Sequence, residues 1–356
     1  MPGPPGSDPS LPAAMAVAGG WGYIGSRFVR TALGLGIRVY VHDPAPCPDD
    51  LAGAEGLVSV PDPAIFYSLP VPFYHLALQP AHRPDAERRL ARRAAQGDVL
   101  LALVEKPLAA PDGAAHAREI LARPKWLPWT LLYDFTELCR PMTRTVLEHL
   151  RGFGSCRIKS IEMTRAKDRE NPAEPRNHIP TLSIQYQETA HCIAWVLSCL
   201  DAAGNTAASG APAGVHGESG PYRPPNPERY PEPVDGYFHG GFRFGETEVR
   251  FHSDYRAGTE KSQHRRVEGY GDGRPFVIEA DYKRGGAFLR INGEELPADA
   301  EERAHGEAIR AAWAFHRAGG KGLFNGGPAP GAAFAHRVWV LSGMLHAACH
   351  GKRGDM

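Results

Sequence analysis

Apolar and polar positions along the chain follow two successive patterns. From residue 13 to about 130, short apolar runs alternate with segments of helical spacing. Residues 14–18 are apolar and end in glycines, 23–35 have helical spacing, and 37–42 are a β-branched run closed by Asp43-Pro44. A further apolar run spans 73–78, a charged helix spans 84–96, and 99–104 are apolar up to Glu105-Lys106-Pro107. Such runs predict strands covered on both faces, hence a doubly wound parallel sheet in an α/β domain over 13–130. Beyond 130 the pattern changes. Helical spacing at 142–150 precedes an alternating strand at 156–164 and a strongly apolar helix at 186–200. Residues 201–236 hold 6 Gly and 7 Pro and no Ile, Leu, Met, Phe or Trp, which predicts a flexible surface loop. Alternating strands at 237–244, 248–254, 265–270, 275–280 and 287–291 then precede helices at 302–318 and 332–348. Residues 131–356 therefore read as an α+β domain on one large, open, mainly antiparallel sheet. Residues 1–12, rich in Pro and Gly without apolar periodicity, read as a disordered tail.

Composition narrows the function classes. The chain has 356 residues, with 40 Lys+Arg balancing 40 Asp+Glu. A chain without basic excess is a poor match for nucleic acid or an anionic membrane, and its apolar runs are too short for a spanning helix. The first twelve residues carry five prolines and no basic residue, unlike a secretory signal, so a cytoplasmic location is expected. The six cysteines form no CxxC pair, which predicts reduced thiols and no metal site. Only 8 of the basic residues are lysines against 32 arginines, and none of the lysines precedes Lys106.

Gly20-Trp21-Gly22-Tyr23-Ile24-Gly25 is a GxGxxG between an apolar strand and a helix, and Asp43 ends the next strand. In that context Gly20 suits a tight turn, Gly22 a close approach to a pyrophosphate, and Gly25 close helix–strand packing. The helix N-terminus offers N–H groups to phosphate. Asp43 can accept ribose hydroxyls and repel a 2′-phosphate, and no Arg or Lys follows within ten residues, so NAD is favoured over NADP.

Lys106 sits at a strand's carboxyl end, where ligands of open parallel sheets bind. In an arginine-rich chain, a lysine retained there suits proton transfer or hydroxyl binding, because arginine does not give up its proton. Glu188 and Gln187 lie three and four residues before His191 on the apolar helix, where a carboxylate can orient an imidazole.

Together with Gln79-Pro80 after the 73–78 strand, Glu105-Lys106-Pro107 and Glu188-Thr189-Ala190-His191, these residues make the chain resemble the Gfo/Idh/MocA oxidoreductases over most of 13–200. The resemblance implies a Rossmann domain holding the dinucleotide through Gly20, Gly22, Tyr23, Ile24, Gly25, Asp43, Gln79, Pro80, Glu105 and Lys106. It implies that Lys106 and His191 meet at the substrate's reacting carbon, aided by Glu188, with Asn177, His178 and Gln187 near substrate. The expected activity is hydride transfer between nicotinamide and a secondary alcohol or ketone of a sugar, sugar phosphate, nucleotide sugar or cyclitol. An imine or keto reductase and a non-catalytic dinucleotide sensor are the alternatives. A homodimer or homotetramer through the C-terminal sheet is the expected assembly.

Overall fold

A computed structural model describes residues 8, 10–256, 262–283, 286–298 and 304–351. The tail expected over 1–12 falls mostly outside these residues. The chain divides into two compact units, one running through Cys139 and taking back α8 and Ala329–His336, the other holding the remainder.

In the first unit, β1 (Ala14–Ala18), α1 (Tyr23–Gly34), β2 (Arg38–His42), β3 (Leu57–Ser59), α2 (Pro63–Ser68) and β4 (Phe73–Leu76) are followed by α3 (Arg83–Ala95), β5 (Leu100–Glu105), α4 (Ala114–Leu121) and β6 (Trp129–Asp134). The sheet order is β3-β2-β1-β4-β5-β6, every neighbouring pair is parallel, and the fold is the Rossmann arrangement. Strand order reverses beside β1, and this opens a crevice at the carboxyl ends of β1 and β4. The parallel sheet runs past residue 130 because β6 belongs to it.

Met15 and Val17 of β1, Val39 and Val41 of β2, and Leu101 and Leu103 of β5 pack against Phe28, Val29 and Ala32 of α1. Ala308, Ile309, Ala312 and Phe315 of α8 (Ala304–Arg317) join the same core. Although α8 lies near the end of the sequence, its apolar stripe completes the first unit.

The second unit holds α5 (Pro141–Arg151), β7 (Cys156–Ala166), α6 (Ile184–Gln187), α7 (Thr189–Ala202), β8 (Ala213–Pro221), β9 (Asp235–Phe244), β10 (Thr247–Asp254), β11 (His264–Gly271), β12 (Arg274–Asp281), β13 (Phe288–Ile291) and β14 (Glu294–Leu296). From Arg337 onward, α9 (Ala332–Cys349) belongs here as well. Eight strands form one sheet in the order β14-β13-β12-β11-β7-β10-β9-β8. It is antiparallel except for the central β7–β10 pair. α7, buried along almost its whole surface, packs on α5, β7 and β10.

The segment 201–236, expected to be loop throughout, contains the edge strand β8. Its glycines conceal it from a hydrophobic pattern. A Cβ on Gly217 would press on the Phe238 ring and one on Gly220 on the Tyr237 ring, so absent side chains let the β9 aromatics lie across β8. Among the described residues, no helix is long and apolar enough to cross a membrane.

Candidate functional site

The glycine loop follows β1 directly. Gly19, one residue before the motif, makes the tight turn: its φ is +73°, and a Cβ there would stand 2.6 Å from the Ala77 carbonyl oxygen. Gly20 is a central residue of the same turn, closed by the Gly22 N–H on the Gly19 carbonyl at 3.2 Å, and lies against Val41 of β2 with no room for a Cβ. Gly22 caps α1 with extended φ and ψ of −64° and 167°. Gly25 lies one turn into α1, where a Cβ would fall on the Gly19 carbonyl oxygen, so loop and helix approach as closely as backbones can. The first turn of α1 thus opens beside bare backbone at the carboxyl end of β1. Tyr23 and Ile24 are partly exposed there, and the Arg27 guanidinium carbon lies 4.3 Å from the Tyr23 ring centroid.

Asp43 closes β2 next to this loop. Its Oδ2 accepts the Trp21 N–H at 2.9 Å and its Oδ1 the Ala45 N–H at 2.9 Å. A carboxylate has about four lone-pair sites, so both oxygens keep acceptor capacity for hydroxyls. The glycine cradle and this acid together fit the adenosine diphosphate half of a dinucleotide.

Two strands along, Glu105 ends β5 and Lys106 follows it. The first residue of α3 holds this corner. Arg83, fully buried, donates from one guanidinium nitrogen to the Glu105 carbonyl and from the other to the Pro107 carbonyl at 2.5 Å. Gln79 and Pro80 open the short 3₁₀ turn, Pro80–His82, that leads into α3. Lys106 is itself buried, with 8% of its surface exposed.

Glu105 pairs in register with Asp134 of β6. Burial and the facing Asp134 push the Glu105 carboxyl well above the usual range, while Lys106 and Arg83 pull it back. Asp134 is pushed up to about 6, by burial first, against hydrogen bonds from Thr136 and Glu105 and the charge of Lys106. The corner therefore sets two carboxyls, each raised by burial, beside Lys106. Arg83 and Asp134 are absent from the sequence-based set.

In the second unit, the helix expected over 186–200 is broken. α6 ends at Gln187 and α7 begins at Thr189, with Glu188 between them at a φ of −109°. Glu188 and His191 still share one turn, since the His191 N–H donates to the Glu188 carbonyl at 3.1 Å. The Glu188 carboxylate is held from β7: Oε2 accepts the Arg165 Nε–H at 2.5 Å and Oε1 the Lys167 ammonium at 3.1 Å. Burial pushes the Lys167 ammonium down to about 7, Glu188 working against this and Arg165 with it. His191 is 8% exposed, one turn into α7. Arg165 and Lys167 are two further residues that sequence spacing does not reveal.

Asn177 and His178 serve their own loop. Buried Asn177 donates to the Asp168 and Asn171 carbonyls at 3.2 and 2.9 Å and accepts from Arg169 at 3.4 Å. The His178 ring lies 3.0 Å from the Pro172 carbonyl. These bonds fold the 168–178 segment into a compact turn.

No protein-family model matches the sequence, and no curated protein matches it significantly. Solved structures share the fold. UDP-N-acetylglucosamine 3-dehydrogenase from Acidithiobacillus ferrooxidans superposes with a TM-score of 0.70 at 13% identity, over 96% of this chain and 99% of that one. Levoglucosan dehydrogenase, solved with NADH, gives 0.71 at 15% identity over 95% and 97%. A myo-inositol dehydrogenase from Corynebacterium glutamicum gives 0.67 at 14% identity over 96% and 98%. The chain thus has, over nearly its full length, the fold of these dehydrogenases.

Proposed function

We propose that the chain is a nicotinamide-dependent oxidoreductase of the Gfo/Idh/MocA kind. In this reading it interconverts a secondary alcohol and a ketone on a sugar, sugar phosphate, nucleotide sugar or cyclitol. The observation that carries this reading is Lys106 at the carboxyl end of β5, clamped by Arg83, on the sheet edge that presents the glycine loop and Asp43. The shared fold with dehydrogenases acting on a nucleotide sugar, an anhydrosugar and a cyclitol supports it.

Gly20, Gly22, Tyr23, Ile24 and Gly25 would bind the pyrophosphate, Asp43 the adenosine ribose, and Gln79, Pro80 and Glu105 the nicotinamide half. Asp43 without a following Arg or Lys favours NAD over NADP. A nicotinamide held there would supply the hydride acceptor for the alcohol carbon and, in the reverse direction, the hydride donor. His191 takes the hydroxyl proton as the carbon–oxygen double bond forms. Lys106 donates a hydrogen bond to the same oxygen and stabilises its developing negative charge. Glu188, its carboxylate gripped by Arg165 and Lys167, keeps the turn carrying His191 in place. Gln187, Asn177 and His178 belong on the substrate side, and in a cytoplasmic homodimer or homotetramer the eight-stranded sheet would be the assembly face.

The test uses NAD with a panel of UDP-N-acetylglucosamine, myo-inositol and levoglucosan, and the Lys106→Met variant. A general acid or electrostatic partner is worth about 10²–10⁴ in rate, so turnover should fall by at least about a hundredfold. NADH affinity should stay within about threefold, since the glycine cradle is untouched. Turnover within about threefold of the parent would overturn the role of Lys106.

A further inference from the structure

The second unit holds a cluster that the proposed reaction does not use. His346 lies in the last turn of α9 and His350 in the turn that follows its end, four residues on. Asp235, the first residue of β9 and only 7% exposed at its side chain, meets both rings. Its Oδ2 lies 3.2 Å from His346 Nδ1 and 3.0 Å from His350 Nε2. The three ligand atoms all lie within 4.8 Å of one another.

The same oxygen also accepts the Gln185 Nε2–H of α6 at 2.9 Å. Three nitrogens thus converge on one carboxylate oxygen, which has about two lone-pair sites. If both rings are protonated, two cations share one carboxylate. If both are neutral, Gln185 and His350 already occupy that oxygen and the buried His346 Nδ1 makes no hydrogen bond. A cation placed between Oδ2 and the two ring nitrogens relieves both, because imidazoles and carboxylate then all act as donors of electron pairs. Ligands at about 2.0–2.1 Å from a tetrahedral ion stand about 3.3 Å apart, near the two Asp–His separations, and the two ring nitrogens lie within 4.8 Å of each other.

We propose that Asp235, His346 and His350 form a binding site for a divalent ion of the zinc type, tying the last turn of α9 to the start of β9. Two imidazole nitrogens and one carboxylate oxygen are a borderline-soft set that suits zinc, cobalt or nickel better than magnesium or calcium. Gln185, fully buried, orients the carboxylate from behind, as outer-shell donors do. Cys349 is close, its sulfur 3.8 Å from Gln185 Nε2, but that sulfur is not among the three converging ligand atoms. Cysteine spacing gave no hint of this site, since the acid lies 115 positions from His350.

The experiment is calorimetric titration of the full chain, stripped of metal with a chelator, using Zn²⁺, with Co²⁺ visible absorption as a second readout. One ion per chain with a dissociation constant below about 10 μM is expected. His350→Gln, whose ring is 45% exposed, should weaken binding at least about thirtyfold, more than the loss of a typical outer-shell partner. Its metal-free melting temperature should match that of the parent, and Cys349→Ala should bind as the parent does. His346→Gln and Asp235→Asn should also lose binding and the Co²⁺ spectrum. Absence of stoichiometric Zn²⁺ binding in the parent would overturn the site. So would stoichiometric binding that survives the double substitution His346→Gln/His350→Gln, and that result would mark the cluster as an ion pair only.

Discussion

One guanidinium sets the backbone around Lys106. Arg83 donates to the carbonyls of Glu105 and Pro107, which flank the lysine on both sides. Arg83→Met keeps most of the apolar stem but leaves two buried carbonyls without that donor, at about 1–3 kcal/mol each. We expect urea unfolding to show a loss of about 2–4 kcal/mol, with NADH affinity nearly unchanged. If Lys106 serves the reaction, kcat should fall by more than KM changes, the mark of a positioning residue. Arg83→Lys should recover part of the stability and little of the rate, because an ammonium lacks the planar fork. Lys106 was legible in the sequence because lysine is scarce before it. Arg83 was not, since one arginine among 32 carries no signal and its partners lie 22 and 24 positions away. Asp134, which strand pairing brings to Glu105, and Arg165 and Lys167, which helix–strand packing brings to Glu188, were hidden likewise.

At the level of elements, α1 tests whether the glycine motif is a cradle or merely a turn. Gly25 and Gly34 lie on the same helix, one against the Gly19 carbonyl, the other with open space around it. Gly25→Ala must push loop and helix apart. We expect NADH affinity, read from fluorescence titration, to fall at least about tenfold while circular dichroism stays helical. Gly34→Ala should leave affinity unchanged and raise stability by about 0.4–1 kcal/mol through the unfolded chain. If both variants bind NADH equally, the loop is a turn only. Long periodic or wholly apolar elements were legible: β1, α1, β2, β5 and the strands from β9 to β13. The short β3, α2 and α4 escaped notice because three to eight residues carry too little periodicity. The α6–α7 break at Glu188 escaped because α6 is only four residues long and no Pro or Gly marks the joint.

For the molecule as a whole, charge is balanced at 40 basic and 40 acidic residues, so near neutrality self-repulsion contributes little to the pH dependence of stability. That dependence falls to buried groups, and in the first unit two sets act in opposite directions. His75 is pushed down to about 3, by burial and then His305; His305 is pushed down to about 4, by burial and then Arg27. The unfolded chain binds these protons at the ordinary histidine value, so their contribution is complete above pH 6.5. It is lost as pH falls toward 4 and 3, at about 1.4 kcal/mol per unit per ring. Asp134 and Glu105 are raised, so the folded state holds protons that the unfolded chain releases above pH 4. Their contribution is complete below about pH 4, and the Asp134 share is lost as pH rises through about 6. Between pH 4 and 6 these two sets act against one another. Asp134→Asn separates them, because the amide resembles the protonated acid at every pH. Urea unfolding should find the variant close to the parent at pH 4 and more stable by on the order of 2 kcal/mol at pH 7.5. A variant less stable than the parent at pH 7.5 would mean that Asp134 is held as a carboxylate by its neighbours, and that the ammonium of Lys106 outweighs burial at this corner.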